Sequence, residues 1–402
     1  MDENLSWKII LVAAIFSLFV MGAVYYFISP RDMTYFSEDK TEKVAEFKDT
    51  RVSGRKDGKP LWEFNAKDGW STKNCDVTHL FDVTKGKIYK SGKLVVIDLS
   101  APRAKAYRRS DVVEVVGDKN NRVNAYLDLG RISNREKKDW TKMTADLLKY
   151  VPKIEETEIS GNVNLHKKDS SIFTQRILID NDKNIARMFD KVRLRRKDGI
   201  LYSKKMEYHS DSERLEADEN VRLTITENKV KTVIKANHAS FYTDAARNMR
   251  LKGSVDVVQG KKFAVADSAL YSQPRKSLYM KGSVKAIFEK ARAVLKESTA
   301  KNLRSKEAKE ILKEKTVLTS DELLFSTKTG DATATGSVLV TQKGREAKAD
   351  RAVYNDGIEI LTLTGKVYMK KKDRWVKAEK IIISVKDETF EAVGQVEAEF
   401  KL

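Results

Sequence analysis

The chain has 402 residues and is strongly basic, with 77 Lys and Arg against 58 Asp and Glu and a formal net charge of +19. The basic residues are interleaved with acidic ones, without an Arg-rich helix or an RNP-like aromatic motif, which argues against a nucleic-acid-binding protein. Because 41% of the residues are hydrophobic and regularly placed, the composition also argues against a disordered chain.

The first 30 residues contain an uncharged stretch, residues 9–28. As a helix it would be roughly 30 Å long, enough to cross a bilayer core, so we predict a single transmembrane anchor within 1–30. A cleaved signal peptide is the alternative, but residues 25–30 lack the small-x-small cleavage pattern. The flanking charges give almost no orientation signal, while the short stub before a large domain favours export of the C-terminal part.

Residues 31–49 are polar and predict a linker. From Thr50 the pattern becomes β, and residues 50–135 form a first β region with strands expected at 51–66, 81–92 and 94–99 and a repeat-like unit, one residue short, at 101–117. Trp62 and Trp70 in this region either stack on sugar rings or belong to the core or to strand edges. Cys75 is the only cysteine, so no intramolecular disulfide can form.

The rest of the chain, residues 136–402, is a repeat array. A Gly/Asp/Glu-x-Val element recurs eight times, and five of the seven steps between its valines are 29 residues, the other two being 34 and 54. A fixed period of this kind indicates stacked repeats that bury one continuous core. The elements are Gly161–Val163, Asp190–Val192, Glu219–Val221, Gly253–Val255, Gly282–Val284, Gly336–Val338, Gly365–Val367 and Gly394–Val396.

Each repeat predicts two antiparallel strands with one apolar and one polar face. In the best preserved unit the apolar residues Leu361, Leu363, Val367 and Met369 share one parity with Gly365, as on one face of an unbroken strand. A small residue stands 18 positions before the valine in seven units. Turns within units are acidic or neutral and turns between units are basic, so we expect two oppositely charged rims.

One insertion interrupts the array at about residues 288–315. It has no Gly or Pro and is rich in Ala, Lys, Glu and Leu, with apolar residues at helical spacing. It is either a helix outside the sheet or a tolerated surface loop.

No catalytic signature is present in the sequence. His79, His166, His209 and His238 are scattered without metal-ligand spacing, and there is no Gly-x-Ser-x-Gly, phosphate-binding loop or paired-carboxylate motif. We therefore expect neither an enzyme nor a metal site nor a cofactor.

With these residues in view, the chain resembles the LptC and LptA (OstA-like) family of periplasmic lipopolysaccharide-transport bridge proteins. The anchor and residues 51–66, 81–92 and 101–107 resemble LptC, and the units from Ala236 onward, with their A-D-x-A-x-Y…L-x-G-x-V spacing, resemble LptA. The resemblance implies an elongated all-β jelly-roll or folded-sheet trough, open along one side. It also implies a periplasmic body on an inner-membrane anchor that receives lipopolysaccharide from an ABC transporter and passes it outward.

Three sets of site residues follow. Apolar residues in and around the valine elements are the candidates for lining the trough: Val163, Leu165, Val192, Leu194, Val221, Leu223, Leu251, Val255, Val257, Met280, Val284, Val338, Val340, Leu363, Val367 and Val396. Basic residues of the between-unit turns are the candidates for meeting phosphates: Lys261, Lys262, Lys343, Arg345, Lys370, Lys371, Lys372 and Arg374. The last strand, with Phe390, Val396 and Phe400, is the candidate edge for docking another bridge subunit.

Two functional hypotheses remain open at this point. The first is a lipid conduit whose apolar trough holds acyl chains. The second is a structural periplasmic spacer or an anionic-glycan-binding arm whose apolar face is an ordinary packed core. A gap able to hold acyl chains favours the first, and packing at native density favours the second.

Overall fold

The computed structural model describes residues 43–73, 76–129, 140–197, 199–227, 229–243, 248–260, 262–288, 315–384, 387 and 389–399. Val44–Leu402 forms one compact unit. Within the described ranges, no helix has the length and apolar character needed to cross a membrane. The predicted anchor and residues 289–314 of the insertion lie outside the described residues.

The described residues form one sheet of 24 strands, which confirms the all-β prediction. A 3₁₀ turn spans Pro152–Ile154. The strands are β1 Lys43–Lys56, β2 Lys59–Thr72, β3 Val77–Lys90, β4 Lys93–Tyr107, β5 Val113–Val116, β6 Val123–Leu127, β7 Thr141–Ala145, β8 Leu147–Val151, β9 Glu156–Lys167, β10 Ser170–Asp180, β11 Ile185–Arg196, β12 Gly199–His209, β13 Arg214–Glu227, β14 Val230–Tyr242, β15 Met249–Gln259, β16 Lys262–Ser272, β17 Ser277–Phe288, β18 Thr316–Ser326, β19 Ala332–Gln342, β20 Arg345–Asn355, β21 Ile360–Lys371, β22 Arg374–Ser384, β23 Thr389–Val393 and β24 Glu397–Glu399.

The first β region begins earlier than the sequence suggested. β1 starts at Lys43, so the linker predicted to run to residue 49 ends before that residue. The interval is polar but contains Phe47, which packs against the core beside Gly69. Trp62 is buried and its ring stacks on Phe64 with centroids 5.1 Å apart, so it is a core residue.

The strands then pair in the order expected of stacked units. β4 pairs with both β5 and β6, and β9 pairs with both β7 and β8. From β9 to β22 each strand is antiparallel to the next, which confirms the two-strand repeat. Seven of the eight element valines pair with a small residue of the following unit: Val163 with Thr174, Val192 with Ser203, Val221 with Ala236, Val255 with Ala266, Val284 with Ser320, Val338 with Ala349 and Val367 with Ala378.

The unbroken alternation predicted for the second strand of each unit is wrong. In β21, Gly365 and Lys366 both have positive φ, +79° and +47°, and stand opposite Glu379 alone, so the strand carries a β-bulge. The two residues before the valine have positive φ in seven of the units. Because a bulge bends its strand, these positions form a crease across the sheet.

The crease explains why the repeat favours glycine. A Cβ on Gly365 would lie 2.8 Å from the Cβ of Asp350, the residue after the small residue of the same unit. The same contact joins Gly161 to Asp146, Gly253 to Asn237, Gly282 to Asp267, Gly336 to Asp321 and Gly394 to Glu379.

Two units replace the glycine by an acid, Asp190 and Glu219. In one of them Glu219 takes the glycine position, and Lys204 replaces the acidic neighbour. Lys204 and Lys205 lie 3.1 and 2.7 Å from the Glu219 carboxylate. The bulge is thus retained, and an ion pair replaces the contact between an acidic side chain and a glycine.

Candidate functional site: an apolar cavity between two arms of the sheet

The crease divides the repeats into two arms. The first arm runs from the between-unit turns to the bulges. The second arm runs from the bulges to the within-unit turns. A cavity of about 180 Å³ is lined by both arms, which therefore face each other. The first arm contributes Val257, Ala264, Ala286, Phe288, Leu318 and Val340, and the second arm Leu278, Met280, Leu323, Phe325, Ala332, Ala334, Ala352, Tyr354 and Leu361.

Small side chains make this space. Five alanines line the cavity, and an alanine leaves volume that a leucine or phenylalanine at the same site would fill. We call this space the apolar cavity. Sequence reasoning centred on the valines missed these alanines, although Ala264 and Ala286 stand two residues from Ala266 and Val284 and therefore share their face.

A second cavity, of about 530 Å³, lies between the arms of earlier units. Leu165, Leu194 and Tyr208 line its apolar part. Its mouth is strongly charged, with Lys167, Lys168, Arg196 and Lys197 accompanied by Asp169 and Glu213. An apolar interior with a basic mouth suits an amphiphile that carries an anionic group.

Most of the trough-lining candidates are buried, and some of them line a cavity. Fourteen of the sixteen are buried, and Val340 is half-buried against the core. Val257, Met280 and Val340 line the apolar cavity, and Leu165 and Leu194 line the second one. The seven crease valines, Val163, Val192, Val221, Val255, Val284, Val338 and Val367, are buried but line neither cavity.

The prediction for Val396 is wrong. Its side chain is 49% exposed, and the residue lies between β23 and β24 rather than within a strand. The other element valines have the following unit beside them, and among the described residues no further unit follows Val396. Its apolar side chain therefore lacks the neighbour that buries Val367.

Part of the predicted basic rim forms one cleft. Lys343, Arg345, Lys370 and Lys372 line a cleft of about 540 Å³ together with Lys315, which sequence reasoning missed. Glu346 is the acidic residue of this cleft. Lys371 and Arg374 are exposed at the ends of β21 and β22, and Lys261 lies outside the described residues.

Lys262 does not lie on this rim. Its half-buried side chain lines the apolar cavity. Burial lowers the pKa of the Lys262 ammonium, and Asp356 acts against this shift. The turn position had suggested a solvent-exposed cation, whereas the facing arm covers it.

The two rims also meet, so they are not separate lines of opposite charge. Arg196 donates a hydrogen bond of 3.1 Å to Gln273, and Lys276 forms an ion pair of 2.8 Å with Glu227. In each contact, a strand-end residue beside a between-unit turn, Arg196 or Glu227, meets a residue of the turn between β16 and β17, Gln273 or Lys276. That within-unit turn carries the basic residue Lys276, contrary to the predicted acidic or neutral character.

The last strand is also interrupted. β23 and β24 are separated at residues 394–396, and β24 pairs with β22 over only three residues. The indole Nε1 of Trp375 donates a 2.6 Å hydrogen bond to Glu399. Phe390 is 49% exposed, and Phe400 lies outside the described residues.

Comparison with solved structures finds the crystal structure of LptH, the LptA homologous periplasmic component of the lipopolysaccharide transport device from Pseudomonas aeruginosa. The identity is 14%, the match covers 35% of this chain and 95% of that chain, and the TM-score is 0.27. At these values the likeness adds no argument to the fold described above. No curated protein matches the chain.

Family models match most of the repeat array. The model described as OstA-like protein matches residues 104–233 and 136–295. The model described as LptA/(LptD N-terminal domain) LPS transport protein matches residues 233–389. The matches to the two models overlap at residues 233–295, within the array of bulged strand pairs. The chain belongs to the OstA-like family of lipopolysaccharide transport proteins.

Proposed function

We propose that the chain is a periplasmic component of lipopolysaccharide export that holds the acyl chains of the glycolipid between the two arms of its sheet. The observation that carries the proposal is the apolar cavity, which both arms line and which five alanines keep open. The family supports it, because the family model that matches residues 233–389 is that of lipopolysaccharide transport proteins.

The proposal includes the path of the lipid. Residues 1–30 anchor the chain in the inner membrane, and the LptC-like region at 50–135 receives the glycolipid from an ABC transporter. The repeats from 136 onward then pass it toward the outer membrane. Support for this order is the position of the uncharged segment 9–28 before a β body.

Photo-crosslinking tests the conduit. A photoreactive side chain at Val257 or Val340, inside the cavity, should capture glycolipid in cells. The same side chain at Asp256 or Leu339 should not, because successive strand residues point to opposite faces. Labelling of both faces alike would refute the conduit.

Each crosslinking variant needs a thermal unfolding curve, since a bulky group in a packed interior destabilises a protein. Folded interior variants that capture no lipid would favour the alternative, a spacer or glycan-binding arm with a filled core. The open apolar cavity speaks for the conduit over that alternative.

The basic cleft is proposed to meet the phosphates of the glycolipid. Lys343, Arg345, Lys370 and Lys372 converge there with a single acid. Ammonium and guanidinium groups form charge-assisted hydrogen bonds with phosphate oxygens.

Charge reversal tests this rim. Replacing Lys370, Lys371 and Lys372 by Glu should weaken anionic glycolipid binding and make it less sensitive to salt. Replacing Asp211 and Ser212 by Lys on the other rim should not weaken it, and Glu213 is left unchanged because it lines the second cavity. An equal response of both rims would contradict the assignment.

The C-terminal edge is proposed to dock another Lpt-type subunit by strand addition. β23 and β24 form the last described strand position and pair only with β22. Successive residues of a strand direct their N–H groups to opposite edges. Proline at Glu391 and proline at Ala392, made separately, therefore remove one inward and one outward donor. Only the outward one should block the complex while leaving the chain folded.

A further inference from the structure

Lys262 is a charged side chain in an otherwise apolar site. It is the only charged residue among the described residues that line the apolar cavity. Three other lining residues are polar, Gln259, Thr316 and Tyr354. Gln259 donates a 2.9 Å hydrogen bond to Thr232, and Thr316 accepts one of 3.0 Å from Gln342. The lysine thus gives this cavity one cationic end.

Lys262 and the acid that acts on it lie on facing arms. It begins β16 on the first arm, while Asp356 follows β20 at the end of the second arm. Asp356 is the acid whose charge acts on Lys262, and it is not among the residues that line the cavity. In a half-buried site an ammonium attracts an anion more strongly than it does in water.

We infer that Lys262 and the apolar cavity form a binding station for one anionic amphiphile, with an acyl chain in the cavity and a carboxylate or phosphate monoester on the ammonium. The cavity volume of about 180 Å³ slightly exceeds the roughly 150 Å³ that holds a benzene molecule in an apolar interior, so the cavity has room for a segment of an acyl chain. This inference rests on the proposed function in one respect, that acyl chains enter the space between the arms.

Four probes separate the contributions of chain and charge. Dodecanoate and dodecyl phosphate carry both, dodecanol carries the chain alone, and inorganic phosphate carries the charge alone. Binding to the full chain is measured by calorimetry below the concentration at which the probes form micelles. Both anionic amphiphiles should bind at least tenfold more tightly than dodecanol, and inorganic phosphate should not bind measurably.

Substitutions test whether Lys262 causes the preference for anionic probes. Lys262→Met should lose at least tenfold in affinity for both anionic probes and stay within about twofold for dodecanol. Lys262→Arg should keep the preference, because the charge remains. Lys285→Met is the matched control, since Lys285 is exposed on the opposite face beside the cavity-lining Ala286, and it should change nothing.

The outcomes are distinguishable. Equal binding of dodecanol and dodecanoate, or an unchanged preference in Lys262→Met, would overturn the charged station and leave the acyl trough intact. No binding of any dodecyl probe would overturn the trough itself. Binding of inorganic phosphate lost in Lys262→Met would replace the amphiphile by a free anion. Preference for one anionic probe over the other would identify the head group.

Discussion

The two parts of the sheet use glycine for opposite purposes. In β1–β4, glycine makes room for large side chains inside: a Cβ on Gly86 would lie 2.7 Å from the Phe64 ring and 3.0 Å from Leu99, and both of those side chains are fully buried. In the repeats, Gly365 bends its strand and accommodates Asp350, which is exposed.

The difference decides what each interior can do. The first region fills its interior with Phe64, Ile88 and Leu99, whereas the repeats leave a cavity lined by five alanines. A filled core stabilises the fold, and an unfilled apolar gap can accept a ligand. In the repeats, therefore, the glycines shape the strand while the alanines create the space.

The largest effect is expected from the bulge. Gly365→Ala should cost about 2–3 kcal/mol, because Ala at φ +79° is strained and its Cβ meets Asp350. Gly344→Ala is the control: Gly344 has φ +72° with nothing within 4 Å, so about 1 kcal/mol is expected. Denaturant unfolding gives both values, and equal costs would show that the carboxylate contact is irrelevant.

A smaller loss of stability is expected when side-chain volume is added to either interior, and the size of the loss should differ between the two. Ala104→Leu, in the first region, should destabilise the fold by about 1–3 kcal/mol because that core is full. Ala334→Leu points into the apolar cavity and should stay within about 1 kcal/mol of the wild type. Thermal unfolding of the two variants checks the difference. Similar losses at both sites would mean that the repeats are packed as tightly as the first region.

The smallest effect concerns the bulge that has an acid in place of glycine. Hydrogen bonds from Lys205 and then Lys204 hold the pKa of the exposed Glu219 below its usual value. The pairing therefore stabilises the fold above the ordinary pKa of a glutamate, and this contribution is lost as the pH falls through the lowered pKa. Glu219→Gln should flatten the stability profile below the ordinary pKa of a glutamate, only slightly because the groups are exposed. An unchanged profile would contradict the pairing.

Much of the repeat architecture follows from the sequence. The 29-residue step between valines predicted the strand pairs, and the register of the sheet places the small residue Ala378 opposite Val367. The period-2 pattern also placed Val257 and Met280 inside, because alternation along a strand is a local property of the backbone. The insertion and the anchor remain predictions.

The tertiary structure decided the features that depend on residues distant in sequence. The Gly-x-Val element reads as continuous alternation, and only the register against neighbouring strands reveals the bulge and the crease. Lys262 reads as a solvated turn residue until the facing arm covers it. Whether the apolar face is a filled core or a cavity depends on how two arms of the same sheet approach each other. A strand pattern fixes the direction of each side chain, but the distance to the opposite arm is set by packing between units far apart along the chain.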